Sequence, residues 1–209
     1  MSSTSTILLD FDGVVINNAN ISKYITHQSN VFIQKKYNKT YDKAKVLNKK
    51  MYTTHGHTAI GLDVKNPAQH VLDYNEFIFQ NMDYTLIHNL LTKEDVTNLN
   101  YLVDYPETFG LLTNAPISWC ENICMLANVD MYSIFEHDQC FGSDTGLIKP
   151  QKAIFDYVES NIDNKKKLHF IDDNKMNFKE LCNNERWISH WMNNEEFFSL
   201  YDYLVETFH

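Results

Sequence analysis

A short apolar run near the start of the chain ends in two carboxylates and a glycine, in the order Thr6-Ile7-Leu8-Leu9-Asp10-Phe11-Asp12-Gly13. Such a run is typical of a buried strand in a parallel sheet, which helices cover on both faces. Gly13 allows the backbone to turn directly after the strand, so Asp10 and Asp12 can face one pocket. The segment therefore predicts an α/β fold with an acidic pocket at the carboxyl end of a strand.

Strands and helices alternate in the second half of the chain. Further strands are predicted at 109–112, near 139–141, at 168–171 and at 187–190. Helices are predicted at 93–104, at 116–127, from Pro150, after Asp173 through Leu181, and at 195–208. This alternation favours a parallel sheet whose crossover connections are right-handed.

Residues 18–91 interrupt the alternation, because they read as helices without a convincing strand. We therefore expect them to form a small all-helical cap that is inserted after the first strand. Residues 1–17 and 92–209 then form the α/β core. Thr92 followed by Asp95 is a capping-box pattern, which predicts that the core resumes with a helix.

Polar residues follow three of the predicted strands at the point where each strand ends. They are Asp10 and Asp12, then Thr113 and Asn114, then Asp172 and Asp173. Ligands of open α/β sheets bind beyond the carboxyl ends of the strands, so we expect these residues to converge. Converging carboxylates repel one another unless a cation is bound, and oxygen ligands that share substrate phosphate suit Mg²⁺. With Lys149 to neutralise the transferring group, the pattern predicts a phosphoryl-transfer site.

Four segments in this order resemble the motifs of the haloacid dehalogenase-like (HAD) superfamily. They are residues 8–14, 111–114, 149–150 and 170–173. The resemblance covers nearly the whole chain and implies a Rossmann-like core with a helical cap inserted after the first strand. It also implies a Mg²⁺-dependent phosphatase that forms an aspartyl phosphate.

The same resemblance implies a catalytic role for three residues. Asp10 is the nucleophile and a metal ligand, and Lys149 bridges the phosphate and Asp10. Asp12 is the general acid and base, and its backbone carbonyl also binds the metal. Because dehalogenases have no leaving alkoxide to protonate and lack this second acid, Asp12 favours a phosphatase or a phosphomutase.

The remaining motif residues are implied to bind phosphate and metal. Thr113 and the Asn114 backbone bind the phosphoryl oxygens, Asp173 is the expected direct metal ligand, and Asp172 lies beside it. Taken alone, Asp172 and Asp173 are better explained by capping of the following helix. The order of all four segments favours the ligand role.

The cap segment 51–62 resembles that of the yeast-type pyrimidine 5′-nucleotidases, as do Asp73-Tyr74, residues 145–150, and residues 170–174 with Asn177. This resemblance implies that the substrates are nucleoside 5′-monophosphates such as UMP or CMP. It makes three cap residues candidates for substrate contact: His55, His57 and Thr58. A plain surface turn explains the two histidines equally well, and further zinc ligands with recognisable spacing are not evident.

Charge is distributed unevenly along the chain. The formal net charge of −9 and the single arginine, Arg186, argue against a nucleic-acid partner. Residues 20–50 nevertheless hold eight lysines and one acid, Asp42, so this part of the cap is basic. The lysines fit either a solvated helix face or a surface that attracts an anionic substrate.

Two functions other than that of a nucleotidase also fit the sequence. One is a phosphosugar phosphatase or phosphomutase on the same core. The other is a non-catalytic module whose basic cap binds RNA or an acidic partner. The oligomeric state is not predicted.

The cellular location is predicted from the lack of a disulfide pattern, a secretory signal and a membrane span in the sequence. The four cysteines do not form a disulfide pattern, and Cys120 and Cys124 are expected to be buried as small apolar residues. The initial MSSTST lacks the charge of a secretory signal, and no stretch is apolar enough to span a membrane. We expect a cytoplasmic enzyme that acts on a small phosphorylated metabolite.

Overall fold

The computed structural model describes residues 5–63, 65–193 and 199–208, and these contain a five-stranded sheet flanked by helices. The strands are β1 (Ser5–Leu9), β2 (Phe109–Leu112), β3 (Phe135–Phe141), β4 (Lys167–Asp172) and β5 (Trp187–Trp191). Their order across the sheet is β3-β2-β1-β4-β5, and every neighbouring pair is parallel. The predicted α/β fold with a Rossmann-like parallel core is confirmed.

All regular structure described between β1 and β2 is helical. The helices are α1 (Ala19–Lys36), α2 (Tyr41–His55), α3 (Thr58–Leu62), α4 (Pro67–Gln80), α5 (Tyr84–Leu90) and α6 (Lys93–Asp104). After β2 come α7 (Ile117–Leu126), α8 (Lys152–Asn161) and α9 (Leu200–Phe208). The all-helical insertion after the first strand is confirmed, and α6 begins with the predicted capping box of Thr92 and Asp95.

The two ends of the insertion meet at Asn18. Its side-chain oxygen accepts from the Asn20 and Ile21 amides and so caps α1. Its Nδ2 donates to the Leu90 carbonyl at 2.9 Å and to Asp95 Oδ2 at 2.7 Å. One buried side chain therefore ties the start of α1 to the end of α5 and to the first turn of α6.

The sheet order places the three motif-bearing strands side by side, with β1 between β2 and β4. Leu9 pairs with Leu111 on one side and with Ile171 on the other. Asp10 therefore leaves the sheet level with Asp172. In a parallel sheet the carboxyl ends share one edge, so this register brings the three polar loops together.

Three predicted elements differ from those observed. Strand β3 begins four residues before Gln139. Its first part is not evident from the sequence, because Glu136, His137 and Asp138 are exposed at the edge of the sheet and give no apolar pattern. Helix α8 begins at Lys152 and not at Pro150, since a turn closed by the Gln151 amide and the Ile148 carbonyl comes first. Residues Lys175–Leu181 form a 3-10 helix.

The last predicted helix is present in its second half as α9, and its predicted start at 195 lies outside the described residues. Cys120 and Cys124 lie on the buried side of α7 and belong to the apolar core, as predicted. Among the described residues, no helix combines the length and the apolar character that crossing a membrane requires.

Candidate active site

Three carboxylates lie together at the carboxyl ends of β1 and β4. One carboxylate oxygen from each of Asp10, Asp172 and Asp173 lies within 4.8 Å of the other two. Gly13 allows this approach, because a Cβ atom there would lie 2.6 Å from Asp173 Cγ and the residue has a φ of 102°. Three of the four predicted carboxylates therefore converge, and Asp12 lies outside the cluster.

Lys149 supplies a positive charge within the cluster. Its Nζ lies 2.6 Å from Asp172 Oδ2 and 3.0 Å from Asp10 Oδ1, and the residue is completely buried. Asp172 also accepts from the Asn174 amide through Oδ1 and from Asn177 Nδ2 through Oδ2, so each of its oxygens accepts at least one hydrogen bond. The predicted contact of Lys149 with Asp10 is present in the structure.

The cluster holds more negative charge than Lys149 can balance. Burial raises the pKa of Asp10 well above its ordinary value; the Lys149 charge acts in the opposite direction, and the Asp172 and Asp173 carboxylates add to the rise. Burial, with help from Asp172, raises the pKa of Asp173 to about 6. Burial alone would lower the pKa of Lys149, but Asp10 and Asp172 together raise it.

These residues fit a divalent cation. A cation of charge two would balance three carboxylates and one ammonium group, and carboxylate oxygens are the ligands that hard cations prefer. Asn177 lines the same cavity, and its Oδ1 atom is buried without a hydrogen-bond partner among the described residues. It is a further oxygen that a hydrated ion can satisfy. The cluster of Asp10, Asp172 and Asp173 can therefore hold a divalent metal.

Asp12 faces the cavity beside this cluster and has a different partner. The indole Nε1 of Trp119, in the first turn of α7, donates to both Asp12 oxygens at 3.2 Å. Burial raises the pKa of Asp12 to about 6, although the indole hydrogen bond acts in the opposite direction. No local pattern marks Trp119 in the sequence, because the two residues are 107 positions apart.

The loop after β2 brings Thr113 and Asn114 to the cavity. The buried Thr113 hydroxyl accepts from the Ala115 amide at 3.1 Å. The Asn114 side chain clamps the Lys149 backbone: Oδ1 accepts from its amide at 2.7 Å, and Nδ2 donates to its carbonyl at 3.0 Å. Sequence reasoning gave Asn114 a backbone role only, and the structure adds a side-chain contact that fixes Lys149.

A cavity of about 500 Å³ lies between the acidic cluster and the helical insertion. Its insertion wall contains a buried polar chain in which Thr58 Oγ1 donates to Asn48 Oδ1 at 2.5 Å. Asn48 Nδ2 then donates to Asn30 Oδ1 at 2.8 Å. Phe79 and Tyr52 add aromatic surface to the same cavity. The cavity therefore offers hydrogen-bonding groups and aromatic rings opposite the carboxylates.

The three cap candidates separate in the structure. His57 and Thr58 line the cavity, whereas His55 is not among its lining residues and packs against Gly61 of α3. His57 Nδ1 accepts from the Ala59 amide, and burial, with the Lys149 charge, lowers its pKa to about 4. His57 is therefore a neutral imidazole whose proton is on Nε2. Neither histidine joins a metal-ligand group within the described ranges.

Two lysines of the basic segment also line the cavity. They are Lys45 and Lys49, one turn apart on the face of α2 that carries Asn48 and Tyr52. Lys36, by contrast, is paired with Asp73 at 3.0 Å on the outer surface. Only part of the basic segment is therefore placed to meet a bound anion.

The insertion rests on the core through a further asparagine. Asn75 of α4 donates from Nδ2 to Ser143 Oγ at 2.6 Å and to the Asn114 carbonyl at 3.2 Å. Gly56, at the left-handed end of α2, lies so close to Pro150 that an added Cβ would be 2.9 Å from its Cδ. The insertion thus contacts the Asn114 and Lys149 loops directly.

Comparison with known proteins gives a relationship in structure only. No family model matches the chain, and no curated protein sequence matches it. A crystal structure of a HAD phosphatase from Thermococcus onnurineus matches over 97% of both chains, with a TM-score of 0.56 and 14% sequence identity. At this identity the match establishes the fold. The chain therefore has the fold of a HAD phosphatase, with a carboxylate cluster at the end of its sheet that can hold a divalent metal.

Proposed function

We propose that this protein is a Mg²⁺-dependent phosphomonoester hydrolase of the HAD type. One observation carries the proposal: the Asp10, Asp172 and Asp173 carboxylates and the buried Lys149 ammonium meet where β1 and β4 end. This combination suits transfer of a phosphoryl group, whose oxygens need positive charge and whose phosphorus needs a nucleophile. The fold shared with a HAD phosphatase supports it.

In the proposed reaction, Asp10 and Asp12 perform the covalent and proton-transfer steps. An Asp10 oxygen attacks phosphorus, the phosphorus–oxygen ester bond breaks, and the leaving alkoxide takes a proton from Asp12. Asp12 then accepts a proton from a water molecule that attacks the phosphorus of the aspartyl phosphate. Free phosphate leaves, and the carboxylate of Asp10 is restored.

The surrounding residues are proposed to bind and orient the phosphoryl group. Thr113 and the Asn114 backbone hold its oxygens, and Lys149 bridges it to Asp10. Mg²⁺ would neutralise charge on the phosphoryl oxygens. The residues that would hold it are Asp10, Asp173, the backbone carbonyl of Asp12 and Asp172. The Asn114 side chain keeps Lys149 in place through its two backbone contacts.

Residues 18–91 are proposed to act as a cap over this site. Their two ends meet at Asn18, and they close one side of the 500 Å³ cavity. A covered site excludes bulk water, which strengthens every charge interaction within it. A small phosphorylated metabolite is the substrate that such a cavity suits.

We propose nucleoside 5′-monophosphates such as UMP or CMP as the substrates. The cap wall supports this with amide and hydroxyl groups from Asn30, Asn48 and Thr58, which can pair with a base or a ribose. Phe79 and Tyr52 offer rings for stacking, and neutral His57 can donate to a carbonyl oxygen. A cytoplasmic location is proposed with it, since the four cysteines are free.

The test is purified protein against UMP, CMP, AMP, hexose phosphates and p-nitrophenyl phosphate, with Mg²⁺ and with EDTA. We expect Mg²⁺-dependent phosphate release that is fastest for the pyrimidine nucleotides and absent in Asp10→Asn. Preference for hexose phosphates would favour the phosphosugar phosphatase or phosphomutase. Salt-dependent RNA binding without any phosphate release would favour the binding module.

A further inference from the structure

Trp119 is a core tryptophan whose indole contacts a proposed catalytic residue. Its side chain is almost fully buried, yet its one polar atom points at the carboxylate proposed as general acid and base. The distances from Nε1 to the two Asp12 oxygens are equal, at 3.2 Å. Among the described residues, no other side chain hydrogen-bonds this carboxylate. The indole therefore faces the carboxylate edge and contacts both of its oxygens.

The indole ring is held in place by aromatic rings from the helical insertion. The ring of Phe79, on α4, lies 5.2 Å from the Trp119 ring, and that of Tyr84, on α5, lies 6.4 Å away. Tyr84 is in turn held by Asn122 of α7, whose Nδ2 donates to its hydroxyl at 3.0 Å. Packing therefore fixes the direction of the indole N–H.

We infer that Trp119 is a positioning residue for Asp12. Its indole N–H sets the orientation of the Asp12 carboxylate, which exchanges protons with the leaving group and with water. The inference rests on the proposed phosphatase function and adds a residue to its proton-transfer step. An indole N–H can only donate, so it keeps Asp12 turned toward itself in either protonation state. Misplacement of a reacting group by about 1 Å can reduce a rate about 100-fold.

A positioning role for Trp119 and a mere packing role have different consequences. A packing residue stabilises the fold through its ring, so loss of the N–H alone would leave the chemistry unchanged. A positioning residue acts through the N–H, so its loss affects the step that needs the acid. Trp119→Phe removes the N–H and keeps an aromatic ring at the site.

The chain contains a matched control in Trp187. This tryptophan is also buried, and its Nε1 donates to the Glu159 carboxylate at 2.6 Å. It lies in a different part of the core, on the face of the sheet covered by α8. Trp187→Phe therefore removes an equivalent hydrogen bond without touching Asp12.

The kinetic test compares kcat/KM for two leaving groups in wild type, Trp119→Phe and Trp187→Phe. This ratio reports the steps up to phosphoryl transfer, in which an alkoxide leaving group needs a proton and p-nitrophenolate does not. For UMP, or for the best alkyl phosphate if UMP is not a substrate, we expect Trp119→Phe to lower kcat/KM about 10-fold or more. For p-nitrophenyl phosphate the loss should be small, and Trp187→Phe should change neither value.

A second measurement is independent of activity. The three indole N–H signals are assigned in a proton–nitrogen NMR spectrum from tryptophan-to-phenylalanine variants. We expect Asp12→Ala to move the Trp119 indole proton upfield, since a hydrogen bond to a carboxylate is lost, while the Trp187 signal stays in place. This readout remains usable if Trp119→Phe does not fold.

The outcomes separate the inference from the function on which it rests. An equal loss on both substrates, no loss on either, or a Trp119 signal that ignores Asp12→Ala overturns the positioning role. A wild-type protein that hydrolyses no phosphomonoester overturns the proposed function, and the positioning role with it. Selective loss in Trp119→Phe with a responsive indole signal supports both.

Discussion

Replacing Asp173 by asparagine should stabilise the metal-free protein while weakening its response to Mg²⁺. In the folded protein the pKa of Asp173 rises from 3.8 to about 6, first because of burial and then because of Asp172. Two pK units correspond to about 3 kcal/mol, which is the upper limit for the cost of keeping this carboxylate ionised. Asparagine has nearly the same shape and carries no charge, so it avoids that cost.

The sign of the pH dependence follows from the raised pKa. The folded state holds the Asp173 proton more tightly than the unfolded state, so stability is greatest below about pH 4 and is lost as the pH rises through 6. At pH 8 Asp173 is ionised, so the full cost of its charge to the free energy of unfolding is present. Asp173→Asn should therefore melt above wild type in EDTA at pH 8, by up to about 6–12 °C, and the gap should narrow at pH 5.

The assay is thermal unfolding in EDTA and in millimolar MgCl₂. Mg²⁺ should raise the melting temperature of wild type by mass action and raise that of Asp173→Asn less, because one of the proposed ligands is missing. Asp138→Asn, at an exposed position of β3, is the control and should match wild type. A variant that melts below wild type in EDTA at pH 8, or an equal Mg²⁺ shift in both proteins, would refute the reasoning.

Two further predictions concern the cap and the Asn114 clamp. Changing both Lys45 and Lys49 to glutamine should raise KM for a nucleotide several-fold at low salt, with the effect fading at high salt, because both line the cavity. The same change at Lys43 and Lys50, which do not line it, should leave KM unaltered, and equal effects would contradict a role for cavity placement. Asn114→Ala should lower the free energy of unfolding by about 2 kcal/mol, measured by urea titration, because two hydrogen bonds to the Lys149 backbone are lost. It should also lower kcat, and an unchanged stability would show that the clamp is not needed to hold Lys149.

Much of the site could be predicted from the sequence, because its residues stand at ends of apolar strands. Asp10, Thr113 and Asp172 each follow such a run, and the rules for parallel sheets place strand ends on one edge. In the structure β1 lies between β2 and β4, so the loops that follow these three strands are neighbours. A local pattern thus sufficed wherever the backbone alone fixes the side chain's position.

The parts that sequence reasoning missed depend on contacts between distant segments. The hydrogen bond from Trp119 to Asp12 and the clamp of Asn114 on Lys149 join residues in different loops and helices. No spacing rule predicts which side chain of α7 reaches the loop that follows β1. Strand β3 is longer than predicted for another reason: consecutive residues of this edge strand, Glu136–Asp138, are exposed on both faces and give no apolar pattern.

The central claim is that Asp10 becomes phosphorylated during turnover. The most direct measurement is rapid acid quenching of wild type, Asp12→Asn and Asp10→Asn with Mg²⁺ and ³²P-labelled p-nitrophenyl phosphate, whose leaving group needs no proton, followed by peptide mapping. A hydroxylamine-sensitive label on the peptide that carries Asp10 is expected, with more of it in Asp12→Asn, where water attack is slowed, and none in Asp10→Asn. Turnover without any label on that peptide, or phosphate release by Asp10→Asn, would contradict the account.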